Sequence, residues 1–165
     1  MKKLLSLFII AIVFTSCNTS VASEKIAGKW LLDDSRFEKG YMAGDQKDYD
    51  LVKKFLDAYE NMDPQGMVDL SADTVKFHPA DIAGVFDVDM TNTDFIVERQ
   101  SNWDSVSRDY IFIMPLKMED SKNRVVTTAF TETRYIKDGS SESINFYERL
   151  YINEQDKIMR VVQYS

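Results

Sequence analysis

The chain predicts an α+β domain in which a curved antiparallel sheet wraps around helices that precede it. Two observations carry this. Apolar residues recur at helical spacing through the first half of the chain and at alternate positions through the second. Short polar turns separate the alternating segments, as in an antiparallel meander, and helices gathered ahead of such a sheet cover one of its faces.

The elements follow in order. Over residues 49–62, Leu51, Val52, Phe55, Leu56, Tyr59 and Met62 fall on one helical face, with Lys53, Lys54, Asp57 and Glu60 opposite. Asp63-Pro64 then supplies a capping residue and a proline suited to the first helical position, opening a short second helix through Met67, Val68 and Leu70. A brief alternation over residues 74–79 ends at Pro79 and predicts a short strand. A third helix is predicted from residues 91–93, carrying Phe95, Ile96, Arg99 and Trp103. Beyond Ser105 the period becomes two, with Tyr110, Phe112, Met114, Leu116 and Met118 expected on one face. A second strand is expected over residues 124–137, a hairpin at Asp138-Gly139, and a third strand with Ile144, Phe146, Glu148, Leu150 and Ile152 on one face. A last strand runs over residues 158–164.

The start of the chain is of another kind. Lys2 and Lys3 precede an apolar run over residues 4–14 and then Thr15-Ser16-Cys17, the order of an export signal. The run is shorter than the roughly 17–25 residues of a spanning helix. Cys17, the only cysteine, stands where the lipobox of bacterial lipoproteins places its lipid-bearing residue, and Phe14 departs from that pattern. Three parts follow: a leader over 1–16, a lipid-attached tether and N-terminal segment over 17–47, and the domain over 48–165. The resemblance implies attachment to a membrane of the cell envelope through Cys17, and Asn18 favours the outer one; the alternative is a free thiol. Loss of Lys2 and Lys3 with the leader takes the net charge from −7 to −9, which disfavours nucleic acid as a partner. A lone cysteine excludes disulfides within the chain and thiolate metal centres. The eight methionines are unclustered and suit core filling. No metal and no cofactor is expected.

The order of helix, Asp-Pro helix, strand ending in His78-Pro79, third helix and bent meander closing on Asp156-Lys157-Ile158 resembles the nuclear transport factor 2-like superfamily. Phe55-Leu56-Asp57-Ala58-Tyr59 and Ser71-Ala72-Asp73-Thr74-Val75 carry much of the likeness, and the closest branches are SnoaL-like and ketosteroid-isomerase-like. The resemblance implies a cone with an apolar pocket. It implies that His78, the only histidine, falls at or beside the general-base position of the isomerases. Counting back from Lys157 puts Glu148 at their protonated carboxylic acid, and the two matching positions face each other across the pocket. Phe55 stands where those enzymes hold an oxyanion-stabilising tyrosine, so steroid isomerisation is not expected.

By strand parity alone, Glu148 sits among apolar side chains, and burial there would raise its pKa. Trp103 is a candidate pocket wall. The expected function is non-covalent binding of a small apolar molecule by His78, Trp103 and Glu148, with self-pairing through the outer sheet face. The rivals are an isomerase or cyclase using His78 and Glu148 as base and acid, and an inert protein-interaction module. Gly28-Lys29-Trp30 resembles a lipocalin signature, but the helix at Tyr49 occupies the space a barrel would need. That segment is expected to pack Trp30 against the domain ahead of a loop over 40–48. Asp33, Asp34 and Asp48 read as a solvated acidic surface.

Overall fold

The computed structural model describes residues 25–165 except Asn123. The leader, Cys17 and the first part of the tether lie outside the described residues. In chain order come β1 (Ile26–Lys29), β2 (Gly40–Ala43), α1 (Gln46–Glu60), α2 (Pro64–Leu70), β3 (Ser71–His78) and β4 (Phe86–Asp89). Then follow α3 (Asp94–Gln100), β5 (Trp103–Met118), β6 (Arg124–Ile136), β7 (Ser141–Ile152) and β8 (Ile158–Tyr164). All eight strands form one sheet, ordered β1-β2-β5-β6-β7-β8-β3-β4, antiparallel except where β3 lies parallel to β8. This is the α+β cone that the sequence predicts, with a longer sheet.

Local chemistry sets the elements. Asp63 caps α2 by accepting from the Gly66 N–H at 2.9 Å, and Pro64 opens the helix, where its missing N–H goes unused. Gly139 turns the β6–β7 hairpin at φ 88°. At Gly44 a Cβ would meet the Leu116 nitrogen at 2.8 Å, so only glycine lets the chain leave β2 this close to β5.

The core lies between α1 and the concave side of the sheet. Val52, Phe55, Leu56 and Tyr59 of α1 pack with Val126, Leu150, Ile158 and Val161. Cross-strand registers define the inward rows. Tyr110, Phe130 and Phe146 form one, Ile113, Thr128, Glu148 and Gln163 the next, and Val126, Leu150, Val161 and Phe77 a third.

Several expectations are corrected. The third helix ends at Gln100 instead of reaching Trp103, because Trp103 already pairs with Ile136 and opens β5. Tyr110, Phe112 and Met114 do not share a face. A bulge between Tyr110 and Phe112 inserts Ile111, so Tyr110 and Ile113 pack against the core while Phe112 and Met114 are exposed. Residues 26–29 and 40–43 form a hairpin that extends the sheet edge at β5, where a packed segment and a loop are expected. Asp48 is not surface: it is 2% exposed and pairs with Arg124 at 3.2 Å. Burial comes first in raising its pKa, with Arg124 opposing.

Candidate functional site

An apolar cavity of about 70 Å³ sits inside the cone. Its walls follow from element periodicity. Phe55, Leu56 and Tyr59 share one face of α1, Val75 and Phe77 are alternate residues of β3, and Phe95, Ile96 and Arg99 share a face of α3. One end is polar, formed by Arg108, Glu148 and Gln163 from three strands of the sheet. A space of this size holds on the order of five water-sized groups.

Glu148 lies where parity puts it, 2% exposed on the inward face of β7. Its Oε1 accepts from Gln163 Nε2 at 2.6 Å, and the register places the two residues directly opposite. Burial raises the carboxyl's pKa, against the lowering effects of Arg108 and the Gln163 hydrogen bond.

His78 and Glu148 do not form a pair. In register with Val161, Phe77 lines the cavity, whereas His78 pairs with Val162 in the outward row of Met114, Thr127 and Arg149. Alternation along β3 therefore turns the imidazole to the opposite face of the sheet from Glu148. The His78 pKa is lowered, first by desolvation and then by Arg160 and Lys76. The expectation of one electrostatic unit across the pocket fails for this reason. Trp103 lines a more open hollow of about 310 Å³ beside the cavity, shared with Asp81, Arg99 and Arg134. Its ring stacks edge-on with Tyr59 at 6.1 Å. Of the three residues expected at the pocket, only Glu148 lines the cavity.

Behind the polar end stands a buried ionic network absent from the sequence reading. Glu132, 1% exposed, accepts Nε and Nη2 of Arg108 on one oxygen at 2.9 and 2.6 Å, and Nε of Arg134 on the other at 2.6 Å. Arg134 reaches outward to Glu142 at 3.1 Å. Aromatic rings enclose both cations. Arg108 lies 4.5 Å from the centroids of Tyr59 and Phe130, and Arg134 lies 4.5 Å from that of Trp103. Burial opposes the charge on Arg108, but Glu148 and Glu132 more than offset it, so its pKa rises. Burial also pushes the Tyr59 phenol up to about 12, keeping it neutral.

The missed residues carried a signal. Arg108 follows Val106 by two, Glu132 and Arg134 follow Phe130 by two and four, and Gln163 follows Val161 by two. Each is a polar residue on an inward parity.

Protonation of Glu148 should appear in the pH dependence of folding. A carboxyl whose folded pKa exceeds its unfolded value binds the proton more tightly when folded, so its contribution favours folding at low pH. Stability of the wild type relative to Glu148→Gln should fall as pH rises from about 4.5 through the raised folded value. Urea unfolding of both proteins across pH 4 to 8 measures this, and parallel curves would mean that Glu148 titrates normally.

No protein-family model matches the chain, and no curated protein matches its sequence. Solved structures do match in fold. An NTF2-like protein of unknown function from Burkholderia pseudomallei K96243 is 12% identical, covering 73% of this chain and 91% of that one, with a TM-score of 0.54. A hypothetical protein with a ketosteroid isomerase-like fold from Catenulispora acidiphila, in complex with trimethylamine, is 12% identical over 70% of this chain and 84% of its own, at a TM-score of 0.56. An NTF2-like protein of unknown function from Exiguobacterium sp. 255-15 is also 12% identical, covering 69% and 96%, with a TM-score of 0.56. Likeness at such identity establishes the fold and leaves activity to the residues of this chain.

Proposed function

Starting from a chain with the nuclear transport factor 2-like cone fold, we propose that it is a cell-envelope lipoprotein whose cone binds a small, mostly apolar molecule without transforming it. The observation that supports this reading is the cavity itself, with mostly apolar walls and polar groups that include Arg108, Glu148 and Gln163. Binding sites for small molecules combine such walls with a few placed polar groups. The molecule is small, since about 70 Å³ excludes a steroid-sized ligand. The trimethylamine complex of the Catenulispora protein, a ligand of four heavy atoms, is of the same size class. The reading includes no acid and base step because His78 and Glu148 stand on opposite faces of the sheet.

Titration with 1-butanol, followed by methyl resonances of Val75, Val88 and Ile96, tests the cavity. Saturable shifts are expected, and a Val88→Trp variant that fills the space should abolish them. Ligand at a hundred times its dissociation constant should also stabilise the fold by about 2.7 kcal/mol. Absence of saturable shifts in the wild type would overturn the reading.

Membrane attachment rests on residues 1–17, where the charged start, apolar run and Cys17 carry the lipoprotein pattern. Replacing Cys17 by serine should release the domain from the membrane fraction and remove labelled fatty acid. Retention of both would refute lipidation.

Self-pairing has its own support on the outer sheet face. Phe112, Ala129, Tyr147 and Tyr164 lie in one register row across four strands, and the three aromatic residues are exposed. Their rings follow one another at 6.2 Å, giving an apolar strip that a two-fold axis can set against its own copy. Light scattering should show a dimer that Tyr147→Glu converts to monomer. A wild-type monomer at high concentration would exclude this interface.

A further inference from the structure

The polar end of the cavity holds two groups that converge without meeting. Arg108 directs Nε and Nη2 onto Glu132, and Glu148 is engaged by Gln163. Both line the cavity, yet among the described residues no direct hydrogen bond or ion pair joins Arg108 to Glu148.

Glu132 is the shared counter-ion of two buried guanidiniums, Arg108 and Arg134. The second partner of Arg134, Glu142, is 46% exposed, where solvent screens it. Arg99 adds a cation to the lining and meets the exposed Asp81 only at 3.5 Å. The one carboxyl on the lining is Glu148, which burial pushes towards the neutral acid while Arg108 and Gln163 pull it towards the carboxylate. A neutral carboxyl carries an O–H donor beside the guanidinium. Gln163 points the same way. Its Oε1 is buried without a partner, and turning the amide over would let Oε1 accept the Glu148 proton while Nε2 donates into the cavity. The lining thus carries two guanidiniums, Arg99 and Arg108, against one carboxyl in a mostly apolar space.

Resting on the ligand-binding reading above, we propose that the ligand is a short-chain monocarboxylate. Its carboxylate bridges Arg108 and the Glu148–Gln163 pair, and its apolar tail lies against Phe55, Val88 and Ile96. The anion adds a second negative group beside the two guanidiniums of the lining, and charge-assisted hydrogen bonds to a guanidinium are among the strongest available in such a site. An acid of three or four carbons suits the volume, on the order of five or six heavy atoms in all.

One chain length with three head groups tests this. Butyrate, 1-butanol and butylamine are titrated into the wild-type domain at pH 7 with the same methyl resonances as readout. Butyrate should bind about tenfold or more tighter than 1-butanol, with butylamine weakest. In Arg108→Met the ratio of butyrate to butanol affinity should collapse towards one. Equal affinity for butyrate and butanol in the wild type would overturn the carboxylate assignment while leaving the cavity a binding site. Preference for butylamine would overturn it too, and would make ionised Glu148 the recognition group. Failure of all three to bind would remove both the assignment and the reading beneath it. If Arg108→Met does not fold, the wild-type series decides alone.

Discussion

One carboxylate, Glu132, holds two buried guanidiniums, and the interior of the cone is arranged around that constraint. Arg108 stands directly opposite Glu132 in the β5–β6 register, and Arg134 lies two residues further along β6 on the same face. Removing one partner from a buried ion pair costs about 3–5 kcal/mol because the remaining charge stays desolvated. The network therefore ties the register of the two longest strands to an electrostatic requirement. Slipping the register by one residue would turn these charges to the other face and leave their partners behind. The aromatic rings of Tyr59, Phe130 and Trp103 complete the enclosure and link the network to α1 and the start of β5.

Irregularities in the sheet serve the same geometry. The bulge at Ile111 lets Arg108 and Tyr110 face inward at one end of β5 while Ile113 faces inward further along. It also sends Phe112 and Met114 outward. A strict alternation would have given one face or the other. The same strand thus contributes the cation of the cavity on its inner side and part of the apolar strip on its outer side. Part of the remaining outer face is occupied by the N-terminal hairpin, where Arg149 donates to the Tyr41 hydroxyl at 3.0 Å and lies 6.0 Å from the Trp30 ring. Gly28-Lys29-Trp30 thus belongs to a strand and its exit, with Trp30 stacked near Tyr41.

Local patterns fixed much of this protein in the sequence. The α1 stripe, the Asp63-Pro64 cap, the Asp138-Gly139 hairpin and the last strand stand where spacing and turn chemistry put them, since each depends on neighbours a few residues away. Glu148 was legible for the same reason, as parity along one regular strand reaches it from Ile144 without interruption. Tertiary structure alone decided the rest. Whether Phe77 or His78 faces the cavity depends on how β3 registers against β8, a parallel pairing between strands 80 residues or more apart in sequence. Trp103 left the helix because its cross-strand partner Ile136 claimed it. The pairing of Glu132 with Arg108 and Arg134 is invisible in one dimension, because a buried charge is recognised only when its counter-charge is found in the folded sheet.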